Sequence, residues 1–318
     1  LFDRKSLKWF FMKIETKIFK TNYFYERIFK KNNIQIVSHS FLINFKNIKT
    51  INWIPDFQHL HLPQMFSKDE IKQRDRTFTQ VIKQSDVIIL SSNDAFEDFK
   101  KFAPGYEKKV KVLQFVSQPN YKYHKLNKNN EDKLIEKYKI KDSFYYMPNQ
   151  FWKHKNHLLV MKAINLLKKE NINVNLVCTG YLNDYRNKDY LENIKIFIDK
   201  NNLKENIKIL GLINYEDVFG LIKMSKAVIN PSLFEGWSST VEECKSVGKN
   251  MILSDLNVHK EQYPNATFFD RHNVESLKNV LKNYRNEKSN YDMDILKKRT
   301  EKFANTYVVI CKKVVQTS

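Results

Sequence analysis

The sequence predicts an α/β protein of two domains, each built on a parallel sheet flanked by helices, and three observations carry that expectation. Short apolar runs bounded by polar turns alternate with longer amphipathic stretches, the pattern of buried parallel strands joined by helices. The alternation breaks at an Asn-, Lys- and Tyr-rich stretch containing Pro119, residues 118–130, and restarts at Phe144. A chain of 318 residues is long enough for two domains with a well-buried core in each.

Composition narrows the function classes. Aromatic residues make up 14% and hydrophobic residues 42% of the chain, a globular rather than a disordered balance. The net charge is +20, from 55 basic and 35 acidic residues, which favours anionic partners. The excess is spread along the chain with heavy use of Lys, Asn, Ile and Phe, the mark of a compositional bias. No segment concentrates it with interleaved aromatics as a nucleic-acid face does. No nucleic-acid partner is therefore expected, while an anionic membrane surface stays open. Cys178, Cys244 and Cys311 stand alone, without metal-ligand or disulfide spacing, so reduced and buried thiols are expected. No run reaches the roughly 18 to 20 apolar residues that span a bilayer, and there is no secretory signal pattern.

In order, the chain opens on Leu1 inside a helical pattern, where Leu7, Trp9, Phe10, Phe11, Ile14, Ile18 and Phe19 lie among Lys5, Lys8, Lys13, Lys17 and Lys20. This basic and aromatic mixture, running to Lys31, suits a helix packed on the first sheet with lysines reaching outward, or one lying on a membrane interface. Strands are expected at 34–37, 51–54, 87–90 and 110–115. Asp56, His59 and His61 follow the second of these in a Pro-bounded loop. His-x-His beside an Asp can suggest a metal site, but third and fourth ligands at credible spacing are missing, so no metal is expected. Ser91 and Ser92, ahead of a helical pattern at 94–99, read as a helix cap.

The second half is expected to run from a strand at 144–147 through the turn Pro-Asn-Gln-Phe-Trp-Lys-His-Lys-Asn-His (148–157) into a helix. Strands at 173–179 and 207–210 end at Gly180 and Gly211. Ala227, Val228 and Ile229 then lead into the stretch 230–250, which reads strand, loop and helix as far as Gly248. In an open α/β sheet, loops at the carboxyl ends of strands form the ligand crevice, and a helix start there offers backbone N–H groups to an anion. Ser239 and Glu242 have capping-box spacing, in which Ser caps the helix and Glu reaches back to the cap's N–H, leaving Glu243 free. Glu235 lies in the loop, so two carboxylates flank one row of N–H donors, with Gly236 between them allowing close backbone approach. The same spacing also fits a capped surface helix with acids near its positive end. Further strands are expected at 251–254 and 266–269, with a helix from Asn273. Asp292-Met-Asp294 reads as acid placement at the start of the last helix, which carries Phe303, Tyr307, Val308 and Cys311.

Glu235 and Glu243, with seven residues between them inside Pro-Ser-Leu-Phe-Glu-Gly and ahead of a small-residue turn, resemble the Glu-x7-Glu signature of the retaining family 4 glycosyltransferases. This chain has Gly-Trp-Ser-Ser-Thr (236–240) where many members have Gly-Phe-Gly-Leu-Pro. The resemblance implies the α/β GT-B fold, two Rossmann-like domains facing a central cleft. It implies that Glu235 contacts the donor sugar, that Glu243 contacts the nucleotide ribose, and that amides of Gly236, Trp237, Ser238, Ser239 and Thr240 hold the diphosphate. The turn at 148–157 is similar to one in which the family binds the diphosphate through a lysine, matched by Lys155. Lys153, His154 and His157 compete for that role, and Asn149 and Gln150 stand where relatives often carry Arg. Gly180 and Leu212 fall on the donor side, the latter in the stretch 210–213 where the family meets the base through backbone. Asp56 matches the Asp of an acceptor-side His-Asp pair; Pro55 occupies the His position, and His59 is the candidate to replace it.

On that resemblance, residues 1–120 form an acceptor-side domain, 121–290 a nucleotide-sugar domain, and 291–318 a helix returning to the first. Family members begin with a strand, a Gly-rich turn and a helix; none precedes Leu1, so the first domain is expected to be incomplete at its start. The implied activity is metal-independent, retaining transfer of a sugar from a nucleoside-diphosphate sugar to a saccharide or lipid-linked saccharide. The setting implied is bacterial envelope polysaccharide or lipopolysaccharide synthesis, without a cofactor, in the cytoplasm or peripherally on the inner membrane face. The alternative is a catalytically impaired nucleotide-sugar-binding or scaffold protein of the same fold.

Overall fold

A computed structural model describes residues 6–15, 18, 22–40, 45–119, 121–141, 143–285 and 292–316; Lys5, Lys17, Phe19 and Lys20, named above, lie outside the described residues. Along the chain come α1 (Leu7–Ile14), α2 (Tyr23–Lys31), β1 (Ile36–Ser38), β2 (Lys49–Trp53), α3 (Gln58–His61), α4 (Lys68–Gln84), β3 (Val87–Leu90), α5 (Asn93–Phe102) and β4 (Val110–Val112). After these come α6 (Lys128–Tyr138), β5 (Tyr145–Pro148), α7 (His157–Lys169), β6 (Leu176–Thr179), α8 (Tyr190–Lys200), β7 (Ile207–Gly211), α9 (Tyr215–Met224) and β8 (Val228–Asn230). The last elements are α10 (Ser239–Ser246), β9 (Met251–Ser254), α11 (Asn257–Gln262), β10 (Thr267–Phe269), α12 (Val274–Asn283) and α13 (Met293–Gln316). Two compact units divide the chain: Leu1–Phe57, Ser67–Gln114 and Glu301–Ser318 form the first, Gln58–Phe66 and Phe115–Thr300 the second.

The first unit holds four parallel strands in the order β1-β2-β3-β4. All four residues of β3 are buried, and because side chains alternate across a strand they feed two cores. Ile88 and Leu90 pack with Phe78, Val81 and Ile82 of α4 and Phe99 of α5. Val87 and Ile89 pack with Ile51 and with Ile310 and Val314 of α13. Phe303, Tyr307 and Cys311 lie beside that core, while Val308 is exposed. As expected, Ser92 caps α5, accepting from Ala95 N at 3.0 Å; Ser91 Oγ instead accepts from the Trp53 indole at 2.8 Å.

In the second unit six parallel strands run β10-β9-β8-β5-β6-β7. Tyr145, Met147, Leu176, Cys178, Ile229 and Ile252 pack on one face with α7, α8 and α12. Their strand neighbours Phe144, Tyr146, Val177, Val228, Met251 and Leu253 pack on the other with α9 and α10. Period-two alternation in mainly apolar strands is what burial on both faces requires. The chain lays down β5, β6 and β7 toward one edge and then returns to set β8 against the other side of β5. The β5/β8 boundary is therefore the topological switch point, where loops diverge and leave a crevice at the strands' carboxyl ends. Close approach there constrains Gly180: its φ is +137°, and a Cβ would lie 2.5 Å from the Asn149 carbonyl oxygen.

Cys178 and Cys244 are buried as expected, whereas Cys311 is only half-buried because it sits at the margin of its core. No helix among the described residues is long and apolar enough to cross a membrane.

Candidate functional site

The switch point brings the turn after β5 beside the loop after β8. Lys155 Nζ donates to Glu235 Oε1 at 2.6 Å, and Ser232 Oγ donates to the same oxygen at 2.7 Å. The two side chains are only 17% and 9% exposed. Burial by itself raises the Glu235 carboxyl, but the Lys155 charge foremost, with the Lys155 and Ser232 hydrogen bonds, holds it at about 2. Lys155 closes a short 3-10 turn, Lys153–Lys155, and Asn156 in the left-handed region (φ 57°) redirects the chain into α7. Leu233 N donates to His154 O at 2.8 Å, stitching the two loops together.

Of the three neighbours of Lys155, the two imidazoles, His154 and His157, offer no cation. Both imidazoles are buried, and burial first holds each near 3, so they are neutral at physiological pH. His157 stacks on Phe151 at 4.1 Å, and the Lys153 side chain is exposed. Asn149 is buried against Gly180 and its carbonyl lies 3.3 Å from His157 Nε2, a packing position.

Behind Glu235 lies a buried polar network that the sequence did not reveal. Ser254 Oγ donates to Ser232 O at 2.7 Å, and His259 Nδ1 lies 3.1 Å from Ser254 O. Asn230 Nδ2 donates to Ser238 Oγ at 3.0 Å. Ser238, not Ser239, therefore caps α10, with extended backbone and its hydroxyl accepting from Val241 N. The capping box at Ser239 and Glu242 is thus overturned. Of two adjacent serines, the one whose hydroxyl Asn230 holds takes the cap, and Glu242 has other partners. Fully buried, Glu242 accepts from Lys245 at 3.0 Å, from Gln262 Nε2 at 3.1 Å and from Arg299, the compensation that an interior carboxylate needs. Gln262 also exchanges hydrogen bonds with Ser238 N and O, fastening α11 to the head of α10.

Other residues of the stretch are individually anchored. The Trp237 indole donates to Phe115 O at 3.0 Å, and Thr240 Oγ1 to Pro148 O at 3.4 Å, tying α10 to the end of β5. Ser239 is exposed, Gly236 is half-buried beside Glu235, and Leu212 is 72% exposed just past β7. Glu243, in the second turn of α10, accepts from Tyr215 OH at 2.9 Å; burial pushes its carboxyl up while that bond opposes the shift. The segment with Asp56 and His59 is not wholly a loop, because Gln58–His61 forms a four-residue helix. Asp56, in the first unit, pairs with Arg74 at 2.8 Å. His59, in the second, is buried with its ring edge-on to Phe66, and His61 lies 5.0 Å from the Phe234 ring. Among the described residues no group of three His, Cys, Asp or Glu is arranged to hold a metal ion.

Known structures share this architecture. A glycosyltransferase from Rickettsia africae superposes with TM-score 0.67 at 17% identity, covering 100% of this chain and 84% of that one. Anabaena HepE in complex with UDP and glucose gives 0.67 at 14%, over 82% and 72%. Sucrose-phosphate synthase from Thermosynechococcus elongatus gives 0.66 at 11%, over 92% and 77%. The two parallel-sheet α/β units are those of the GT-B fold. No curated protein sequence matches the chain. The family model described as glycosyl transferases group 1 matches residues 127–302, more than half of the chain and the whole of the β5-to-β10 sheet. On that match, the chain belongs to the group 1 glycosyl transferases.

Proposed function

We propose that the chain is a retaining glycosyltransferase of the family 4 type, moving a sugar from a nucleoside diphosphate to a saccharide or lipid-linked saccharide of the bacterial envelope. The observation that carries this reading is the Lys155 ammonium held 2.6 Å from Glu235 at the switch point, near the head of the capped helix α10. In the reaction the acceptor oxygen bonds to the anomeric carbon on the face from which the diphosphate oxygen departs, and the acceptor proton passes to that departing phosphate. Lys155 and the amides of Gly236, Trp237, Ser239 and Thr240 stabilise the leaving charge, most strongly where water is excluded; the Ser238 amide, expected among them, is instead taken by Gln262 Oε1. Glu235, ionised at neutral pH, accepts hydrogen bonds from donor-sugar hydroxyls. Glu243 takes the ribose, Gly180 and Leu212 border the donor, and Asp56 and His59 serve the acceptor side. The Lys155 ammonium stands in for a metal. The complexes of Anabaena HepE with UDP and UDP-glucose favour a uridine donor. Exposed Phe10, Phe11, Tyr23 and Phe24 beside lysines of α1 and α2 support peripheral attachment to an anionic inner-membrane face.

Two readouts test the reading. Calorimetric titration with UDP, GDP and dTDP should give tight binding to one of them, weakened at least tenfold in Lys155→Met. Proton NMR of the first-formed product should give the donor's own anomeric configuration; the opposite anomer rejects the retaining mechanism.

A further inference from the structure

One cation in the site is accounted for, and it is already shared with Glu235. A diphosphate or an acidic sugar brings more negative charge than a shared ammonium offsets, which calls for a second cation near Lys155. The loop from Gly180 to Asp189, between β6 and α8, supplies one. Asp184 anchors this loop to the Lys155 turn: its carboxylate accepts from Lys153 N, Arg186 N and Asn187 Nδ2, each at 3.0 Å. Those amide bonds occupy the carboxylate, and among the described residues no side chain is hydrogen-bonded to the Arg186 guanidinium.

The guanidinium is held instead by rings from three segments. Its central carbon lies 4.5 Å from the Phe66 ring centroid and 5.2 Å from each of those of Trp152 and Tyr185. Trp152 belongs to the Lys155 turn, and its ring lies 5.5 Å from that of His154. Lys155 and Arg186 thus both lie close to one neutral, buried imidazole. Stacking engages the faces of a guanidinium and leaves the in-plane N–H groups to grip an oxyanion in bidentate fashion. An aromatic setting for a half-buried arginine with no carboxylate hydrogen-bonded to it suits a ligand-facing cation better than a structural ion pair.

We propose that Arg186 is a substrate-binding cation of this site, gripping an oxyanion beside Lys155. The inference rests on the proposed donor site, and the oxyanion belongs either to the donor diphosphate or to an acidic group on the acceptor. Inorganic pyrophosphate and UDP are titrated into the wild-type chain, Arg186→Gln, Arg186→Lys and Lys155→Met. Transfer to a glucuronate-bearing oligosaccharide is compared with transfer to its neutral counterpart. A tenfold or greater loss of pyrophosphate and UDP affinity in Arg186→Gln, only partly recovered in Arg186→Lys, assigns the diphosphate. Unchanged UDP affinity with a selective tenfold rise in KM for the acidic acceptor assigns the acceptor group. The proposal is overturned if Arg186→Gln alters neither while Lys155→Met still weakens UDP. If Lys155→Met is also without effect, the donor-site reading falls with it. Arg186→Lys keeps the charge and most of the stem, so its unfolding midpoint separates a binding defect from a folding one.

Discussion

Lowering the pH from 7 to 5 should cost the second unit several kcal/mol of stability, because three of its histidines are buried in neutral form. Burial is the leading cause in each, holding His154 and His157 at about 3 and His259 at about 4. In the unfolded chain such groups titrate near about 6.5. A histidine whose folded value lies below its unfolded value binds less proton when native. Its contribution is complete above the unfolded value and shrinks as the pH falls toward the folded one. Each such proton is worth about 1.4 kcal/mol per pH unit, so three give about 4 kcal/mol per unit between pH 6 and 5. Glu243 acts with the opposite sign: burial raises its carboxyl, so the native state holds on to its proton to higher pH than the unfolded state does, which trims the slope where it titrates. Glu235, held at about 2, adds its own loss only as the pH falls below the ordinary carboxyl range. Urea unfolding at half-unit steps from pH 7 to 5, followed by hydrogen exchange in peptides covering β5 to β6, reads the slope for this unit. His157→Phe, which preserves the stack on Phe151, should remove about one proton from it. A slope below about 1 kcal/mol per pH unit, or one unaltered by His157→Phe, refutes the reasoning.

Other substitutions follow from single contacts. Arg299→Met leaves fully buried Glu242 with Lys245 and Gln262 alone and should cost about 3 kcal/mol in urea unfolding. Adding Glu242→Gln should restore part of that loss, and equal single and double mutants would contradict the pairing. Gly180→Ala puts a methyl 2.5 Å from the Asn149 carbonyl at a φ of +137°, for a loss of about 2 kcal/mol or more seen as a lowered unfolding midpoint; an unchanged midpoint would be inconsistent with this packing. Trp237→Phe loses the bond to Phe115 O and trims the ring, so about 1 kcal/mol or more should disappear, with faster hydrogen exchange nearby.

What the sequence made legible was local. Strand positions came from short apolar runs, and all ten strands overlap the runs that foretell them, eight with both ends within two residues while β4 stops and β6 starts three residues inside the expected bounds, because burial on both faces leaves a one-dimensional trace. Glu235, Glu243 and Lys155 came from spacing and resemblance, which do not depend on strand order. The order itself was not legible, and it is what sets Lys155 against Glu235 across 80 residues of sequence. The partners of Glu242 were equally hidden: Arg299 lies 57 positions away, in the last helix, with nothing in its local pattern to mark it. Tyr215 looks like an ordinary helix-start residue until α9 is placed beside α10. The misplaced cap has the same origin, since Ser238 and Ser239 are equivalent along the chain and only the bond from Asn230 separates them.

The central claim is that Lys155 and Glu235 form one donor site at the β5/β8 switch point. Its most direct measurement is nucleoside diphosphate release from a panel of UDP-, GDP- and dTDP-sugars, comparing the wild-type chain with Lys155→Ala and Glu235→Ala in the presence and absence of EDTA. The account predicts release from one donor class, reduced at least a hundredfold by either substitution, about 2.7 kcal/mol of lost stabilisation, and indifferent to EDTA. Release that survives both substitutions, or that EDTA abolishes, would contradict it.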